Sequence, residues 1–247
     1  MRARLVGFAR AGNGGYNTRQ GENIIPKRAL VNHRPWLFGA MVAALAFYLL
    51  QDSAVGGLWL ILLKGSAVSM LALYALRRGP GPDAKLLAGA LALAAVGDMA
   101  IEIAFEAGGI AFFFAHLVAI TLFLKFPRAH PSASQKLLAV IVLILTPILG
   151  WLLSSSWQAA LYGVSLGGMA AAAWMSRFPR YRVGAGAMLF LASDMLIFVQ
   201  VGTDGLAANA LGGMAELAIW PLYFLGQFLI ATGVVQTLRH ELAEEDD

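Results

Sequence analysis

Eight apolar segments follow one another between residues 36 and 236, each close to the length that crosses a hydrocarbon core, and they leave little choice of architecture. They run approximately over residues 36–51, 58–76, 85–105, 109–125, 136–153, 157–176, 183–201 and 217–236. A transmembrane helix takes about 20 predominantly apolar residues, whereas the strands of an outer-membrane barrel alternate apolar and polar positions. Leu137–Leu153 is apolar all round rather than alternating. The expected fold is therefore all-α, a polytopic transmembrane helical bundle of about eight helices occupying residues 35–238. Only 13% of the chain is charged, against about 25% in soluble domains, so most of the surface must face something other than water.

Lysine and arginine set the expected orientation, because cytoplasmic connections of membrane proteins carry an excess of both. Arg2, Arg4, Arg10, Arg19, Lys27, Arg28 and Arg34 precede the first segment. Arg77, Arg78 and Lys85 join the second to the third; Lys125, Arg128 and Lys136 join the fourth to the fifth; Arg177, Arg180 and Arg182 join the sixth to the seventh. Arg239 follows the last. Seventeen of the 18 basic residues thus fall on one side, and the other is Lys64, inside the second segment. The opposite connections carry acids such as Asp52, Glu106, Asp204 and Glu216. An even number of helices keeps every basic cluster on one face, with both termini cytoplasmic and the location a bacterial inner membrane. The same asymmetry accounts for the pI near 9.6 without nucleic acid as a partner. Residues 1–34 have no continuous apolar run after the early arginines, unlike a secretory signal, and are expected to form a disordered cytoplasmic tail. Residues 239–247 are expected to form a charged cytoplasmic C-terminal tail.

Ionisable residues inside membrane segments are costly, about 2.5–3.5 kcal/mol at the centre on insertion scales, so they mark candidate sites. Here they are Lys64, Asp98, Glu102, His116 and Asp194, joined by the neutral polar groups Ser193, Tyr223 and Gln227. Counted from the segment ends, with a Glu106–Gly109 turn between the third and fourth helices, Lys64, Asp98, His116, Asp194 and Gln227 lie roughly 9–15 Å from the non-cytoplasmic boundary. A shared depth on five helices points to one buried polar site. Asp98 and Glu102, four residues apart, share a helix face. Lys64 serves as a neighbour of the aspartates or as their counter-ion, since buried charges need partners. The chain has no cysteine, no H-x-x-x-H pairing of its four histidines, no Gly-rich phosphate loop and no nucleophile elbow. Neither a metal nor another cofactor is expected. Gly163-x-x-x-Gly167 is read as close helix packing. Gly97-Asp98-Met99-Ala100-Ile101 is echoed by Ser193-Asp194-Met195-Leu196-Ile197, which leaves a four-helix duplication open.

Four stretches, taken in order, resemble the signatures of a known family. They are Ala95-Val96-Gly97-Asp98; Gly109-x-x-x-Phe113-Phe114-x-His116; Gly184-Ala185-x-Ala187-x-x-Phe190-x-x-Ser193-Asp194; and Tyr223-x-x-Gly226-Gln227-x-Leu229-Ile230. Together they resemble the YhhN/lysoplasmalogenase family of eight-helix membrane proteins, over about residues 36–238. The resemblance implies hydrolysis of the vinyl-ether bond of lysoplasmalogens to a fatty aldehyde and a glycerophospho-alcohol. It implies catalytic roles for Asp98 and Asp194, and Lys64 matches the family's lysine of the second helix. The proline that usually follows that lysine is Gly65 here, and aliphatic residues (Leu117-Val118-Ala119-Ile120) replace an aromatic after the histidine.

That chemistry suits these residues. A vinyl ether hydrolyses by protonation of its β-carbon, followed by capture of the oxocarbenium ion by water. Two carboxyl groups in one low-dielectric site resist double ionisation, so one can act as acid while the other stabilises positive charge. His116, Tyr223 and Gln227 are candidates for orienting water or the head group. The expected partners are a membrane lysophospholipid, water and the bilayer. The alternative is a proton- or ion-coupled transporter using the same Asp/Lys/His layer, and a third reading is a lipid-binding protein without catalysis.

Overall fold

The computed structural model describes residues 34–53, 56–202 and 206–245. Among these residues there are eight α-helices: α1 (Arg34–Leu50), α2 (Leu58–Arg78), α3 (Gly81–Ala100), α4 (Phe105–Lys125), α5 (Ala133–Ser154), α6 (Trp157–Met175), α7 (Ala185–Val201) and α8 (Leu206–Glu245). No strand occurs among the described residues. α2, α4, α5, α8 and the segment Arg180–Val201, which holds α7, are long and apolar enough to cross a membrane, and Pro35–Leu50 is a shorter apolar helix. The chain is an integral, multi-pass membrane protein. The expectation for residues 1–34 lies outside the described residues, apart from Arg34, which opens α1. At the other terminus α8 does not stop near residue 238 but continues as helix to Glu245.

Leu137, Ile141, Ile144, Ile148 and Leu152 recur at helical spacing along α5, and all are exposed. In water such a stripe would be an association surface; in a bilayer it meets lipid tails of its own polarity. Burial between helices is left to small residues. An ideal Cβ built on Gly163 would lie 2.7 Å from the Cα of Pro147, and one on Gly167 would lie 2.9 Å from the Cβ of Thr146. The Gly163-x-x-x-Gly167 spacing therefore marks the close crossing of α6 on α5, as expected. α7 and α8 meet in the same way: a Cβ on Gly186 would come within 2.7 Å of the Gly226 carbonyl oxygen.

At the end carrying the basic clusters, the connections are tied to the bundle. Arg128 donates to the carbonyls of Ser176 (2.7 Å) and Phe178 (3.0 Å). Lys125 pairs with Asp83, and Arg177 pairs with Glu241 at 2.7 Å. Just inside this end, Leu71, Leu122, Phe123, Met169, Phe178 and Val234 form closely packed apolar core, each at most 2% exposed.

One connection departs from expectation. The turn between the third and fourth helices is not Glu106–Gly109 but the segment between Ala100 and Phe105. Gly108 reads as a turn residue, yet it sits in the first turn of α4, where a Cβ would come within 2.6 Å of the Ile101 side chain. Its small size permits the close return of the chain. Glu106 falls in the first helical turn, a position that the helix dipole favours for an acid. Glu102 consequently lies beyond the end of α3 rather than on a helix face shared with Asp98.

Candidate functional site

The far end of the bundle encloses a cavity of about 940 Å³, lined by residues of α1 to α8 and open to the exterior. Asp98, in the last turn of α3, and Asp194, in the middle of α7, both line it. Each is almost wholly buried in the protein. Tyr223 of α8 donates its hydroxyl to Asp98 Oδ2 at 2.7 Å, and Tyr162 of α6 donates to Asp194 Oδ2 at 2.6 Å. One oxygen of each carboxyl is thus held by a phenol. The second oxygen has no hydrogen bond among the described residues and is not among their buried unpartnered atoms, so each acid presents it to the cavity.

The phenols are fixed in turn. The Tyr223 ring meets Phe112, Phe190 and Trp220 at 5.7, 5.1 and 5.6 Å between centroids. The Tyr162 ring packs edge-on against His116 at 5.2 Å and Phe198 at 5.9 Å. Trp220 also donates its indole N–H to the Ala44 carbonyl at 2.9 Å, tying α8 to α1.

Lys64 lines the same cavity. Its ammonium pairs with Glu102 at 2.5 Å and lies 5.3 Å from the centre of the Phe47 ring and 5.9 Å from that of Trp220. The counter-ion that Lys64 touches is therefore Glu102, in the turn after α3, rather than either aspartate. This pair is partly exposed, at the mouth rather than the floor. Gln51, Asp52, Glu106 and Glu216 add polar groups to the lining, and the phenylalanines Phe112, Phe113 and Phe114 add apolar wall. Ser193 lines the cavity too, but its hydroxyl is committed to the Ile219 carbonyl at 2.9 Å, a contact between α7 and α8.

His116 and Gln227 do not share the cavity, and His116 does not share the depth of Asp98. With the turn at residues 101–104, Gly97 packs on Phe112, so Asp98 sits in the last turn of α3 while His116 lies eleven residues into α4. His116 and Gln227 are both buried and line a separate void of about 20 Å³ on the other side of Phe190. His116 Nδ1 contacts Ser165 Oγ at 3.1 Å, and Ser165 donates its own proton to the Tyr162 carbonyl at 2.8 Å. Ser165 therefore accepts from His116, which places the imidazole proton on Nδ1 and leaves Nε2 as an acceptor. The histidine pins α4 to α6 behind Tyr162 and does not line the large cavity. The expected equal depth of Asp98 and His116 depends on a turn at Glu106–Gly109; the earlier turn sets the histidine deeper in the bundle, where it faces α6.

Tyr162 was not among the residues expected here, although it lies five residues into α6 and so belongs to the same layer. The two Asp–Tyr pairs also fail to repeat under a four-helix shift. Such a shift relates α3 to α7 and α8 to α4, whereas the partner of Asp194 comes from α6. Among the described residues, no three histidine, aspartate or glutamate side chains come together as a metal site would require.

A model of the YhhN family matches residues 59–234, a span that contains all eight of the candidate residues named from sequence together with Tyr162. No curated protein and no solved structure matches the chain.

Proposed function

Since the chain belongs to the YhhN family, we propose that it is a membrane-embedded hydrolase that cleaves the vinyl-ether bond of lysoplasmalogen-like lysophospholipids. The observation that carries this reading is the convergence of two carboxyl groups from α3 and α7 on one cavity, each with one oxygen clamped by tyrosine and the other free. The carboxylic acid of the pair delivers its proton to the β-carbon of the vinyl ether, and the π electrons form the new C–H bond. The carboxylate faces the resulting oxocarbenium carbon and takes a proton from the water that adds there. The hemiacetal hydroxyl then gives up its proton while the leaving oxygen takes one as the C–O bond breaks, releasing the aldehyde and the glycerophospho-alcohol. The proton taken from water leaves the pair again with one acid and one carboxylate. Two carboxyl groups divide the work in the same way at glycosidic oxocarbenium-like transition states.

The cavity also suits the amphiphile. With the basic connections cytoplasmic, its mouth opens on the opposite leaflet. The cavity brings polar groups, including Lys64 as a partner for phosphate, and the apolar wall of Phe112, Phe113 and Phe114 together with the two aspartates. Conduction of ions or protons finds less support. On the basic side of the carboxyls the buried polar groups His116, Ser165 and Gln227 give way to the apolar residues Leu71, Phe123, Met169 and Phe178.

The test is release of fatty aldehyde by the purified protein from a 1-alkenyl lysophospholipid and not from its acyl counterpart. In D₂O the aldehyde is expected to carry one deuteron on carbon two. Folded protein that releases no aldehyde refutes the reading and turns attention to flux assays in liposomes.

A further inference from the structure

Part of the cavity lining, on α4 and α6, is also exposed on the outside of the bundle. Below it the two helices are locked together. His116 bonds to Ser165 at 3.1 Å, and one turn deeper a Cβ on Gly168 would touch Ile120 at 3.3 Å. Above the pin both helices line the cavity. Ile110 and Phe114 on α4 are one turn apart, as are Trp157 and Leu161 on α6, and all four line the cavity. They are also 59%, 52%, 68% and 52% exposed, respectively. Residues that line a cavity while keeping half or more of their surface open form its rim. This rim continues down the sides of two membrane helices from their N-terminal turns, and none of its four residues carries a charge. This exposed apolar part of the lining lies apart in sequence from the polar groups Gln51, Asp52, Lys64, Glu102 and Glu216 of the same cavity, and we read it as a lateral slot.

We infer that this slot is the docking groove for the alkyl chain of a single-chain amphiphile drawn from the surrounding bilayer. The chain lies across Ile110, Phe114 and Leu161 with its end in lipid, while the head group stays at the polar mouth. The occupant follows from three features together: below the polar entrance marked by Glu106 and Gln158 the groove is apolar, its residues are exposed on the outside of the bundle, and it is continuous with a cavity that also carries polar groups. A two-chain lipid would need a second groove of the same kind, and the His116–Ser165 pin closes the slot below. The inference rests on the reading of the cavity as an amphiphile site, but its test does not depend on hydrolysis.

The chain has no cysteine, so single cysteines report without background. Ile110→Cys, Leu161→Cys and, as a control far along α4, Leu124→Cys would be labelled in nanodiscs with a lipid-soluble alkyl maleimide. Labelling is compared with and without a saturated 1-O-alkyl lysophospholipid, which has no vinyl ether to cleave. At tenfold over its dissociation constant the amphiphile is expected to slow labelling about tenfold at residues 110 and 161, and to leave residue 124 unchanged. Protection at these two positions supports the groove even if the protein releases no aldehyde from any substrate. Unchanged labelling at both, or equal slowing at all three, overturns it even if vinyl-ether hydrolysis is found.

Discussion

Replacing Tyr162 by phenylalanine removes one oxygen and little else. The ring keeps its edge contacts with His116 and Phe198, so the packing of α6 is unchanged. What is lost is the 2.6 Å hydrogen bond to Asp194 Oδ2. A hydrogen bond to a charged group contributes about 1.5–3 kcal/mol. If that clamp holds the carboxyl in its reactive orientation, its loss appears in the barrier, where each ~1.4 kcal/mol is tenfold in rate. The expected outcome is a fall in kcat of roughly ten- to a hundredfold. KM is expected to stay near the wild-type value, because the phenol holds the carboxyl rather than the alkyl chain. Thermal stability in detergent is expected to fall by less than about 1.5 kcal/mol, since the freed carboxyl oxygen has cavity water within reach. Tyr223→Phe, which frees Asp98 Oδ2, is expected to behave alike. Tyr74→Phe supplies the control, because Tyr74 is buried in α2 near the basic end, away from the cavity. Steady-state aldehyde release measures all three. Wild-type kcat in both Tyr162→Phe and Tyr223→Phe would refute the claim that the phenols position the acids.

Two further perturbations separate support from chemistry. His116→Ala removes a buried ring packed on Tyr162 and Phe190 and unpins Ser165. It is expected to cost about 2–4 kcal/mol of stability, read by thermal unfolding, while the folded fraction keeps turnover within about tenfold of wild type. Complete loss of turnover at unchanged stability would instead place the imidazole in the chemistry. Gly186→Ala drives a methyl group toward the Gly226 carbonyl, 2.7 Å from the ideal Cβ. The expected overpacking cost is about 1–3 kcal/mol, with turnover falling as α7 shifts Asp194 relative to α8. Gly89→Ala, where a Cβ meets nothing within 4 Å, is expected to lose neither.

The bundle was legible in the sequence because membrane solvation is a strong constraint. Every segment expected from hydropathy appears as a helix, with ends shifted by several residues at α3, α4 and α8. The two aspartates were legible for the same reason, since a carboxyl inside an apolar helix has few structural uses. Three features were not. The α3–α4 turn was displaced because paired glycines suggest a turn, whereas Gly108 is small so that the chain can pack on Ile101. The displaced turn also misplaces His116, because a depth counted from Glu106–Gly109 sets it level with Asp98 when it lies more than a turn deeper. Tyr162 was passed over because a tyrosine in an apolar segment is ordinary, its ring apolar and its hydroxyl easily placed. The depth rule applied to the charged residues would have reached it. What could not be read is the pairing itself, Tyr162 with Asp194 and Tyr223 with Asp98, because it depends on how α6, α7, α8 and α3 cross.

The central claim is that Asp98 and Asp194 act together on one vinyl ether, and asparagine at each position tests it most directly. Asparagine keeps the size of the side chain and an oxygen for the tyrosine hydroxyl, but it can neither donate an acidic proton nor carry the stabilising negative charge. Aldehyde release from a 1-alkenyl lysophospholipid should fall at least a thousandfold, about 4 kcal/mol in barrier, in both Asp98→Asn and Asp194→Asn, with thermal stability preserved. Near-wild-type release by either folded variant would contradict the account.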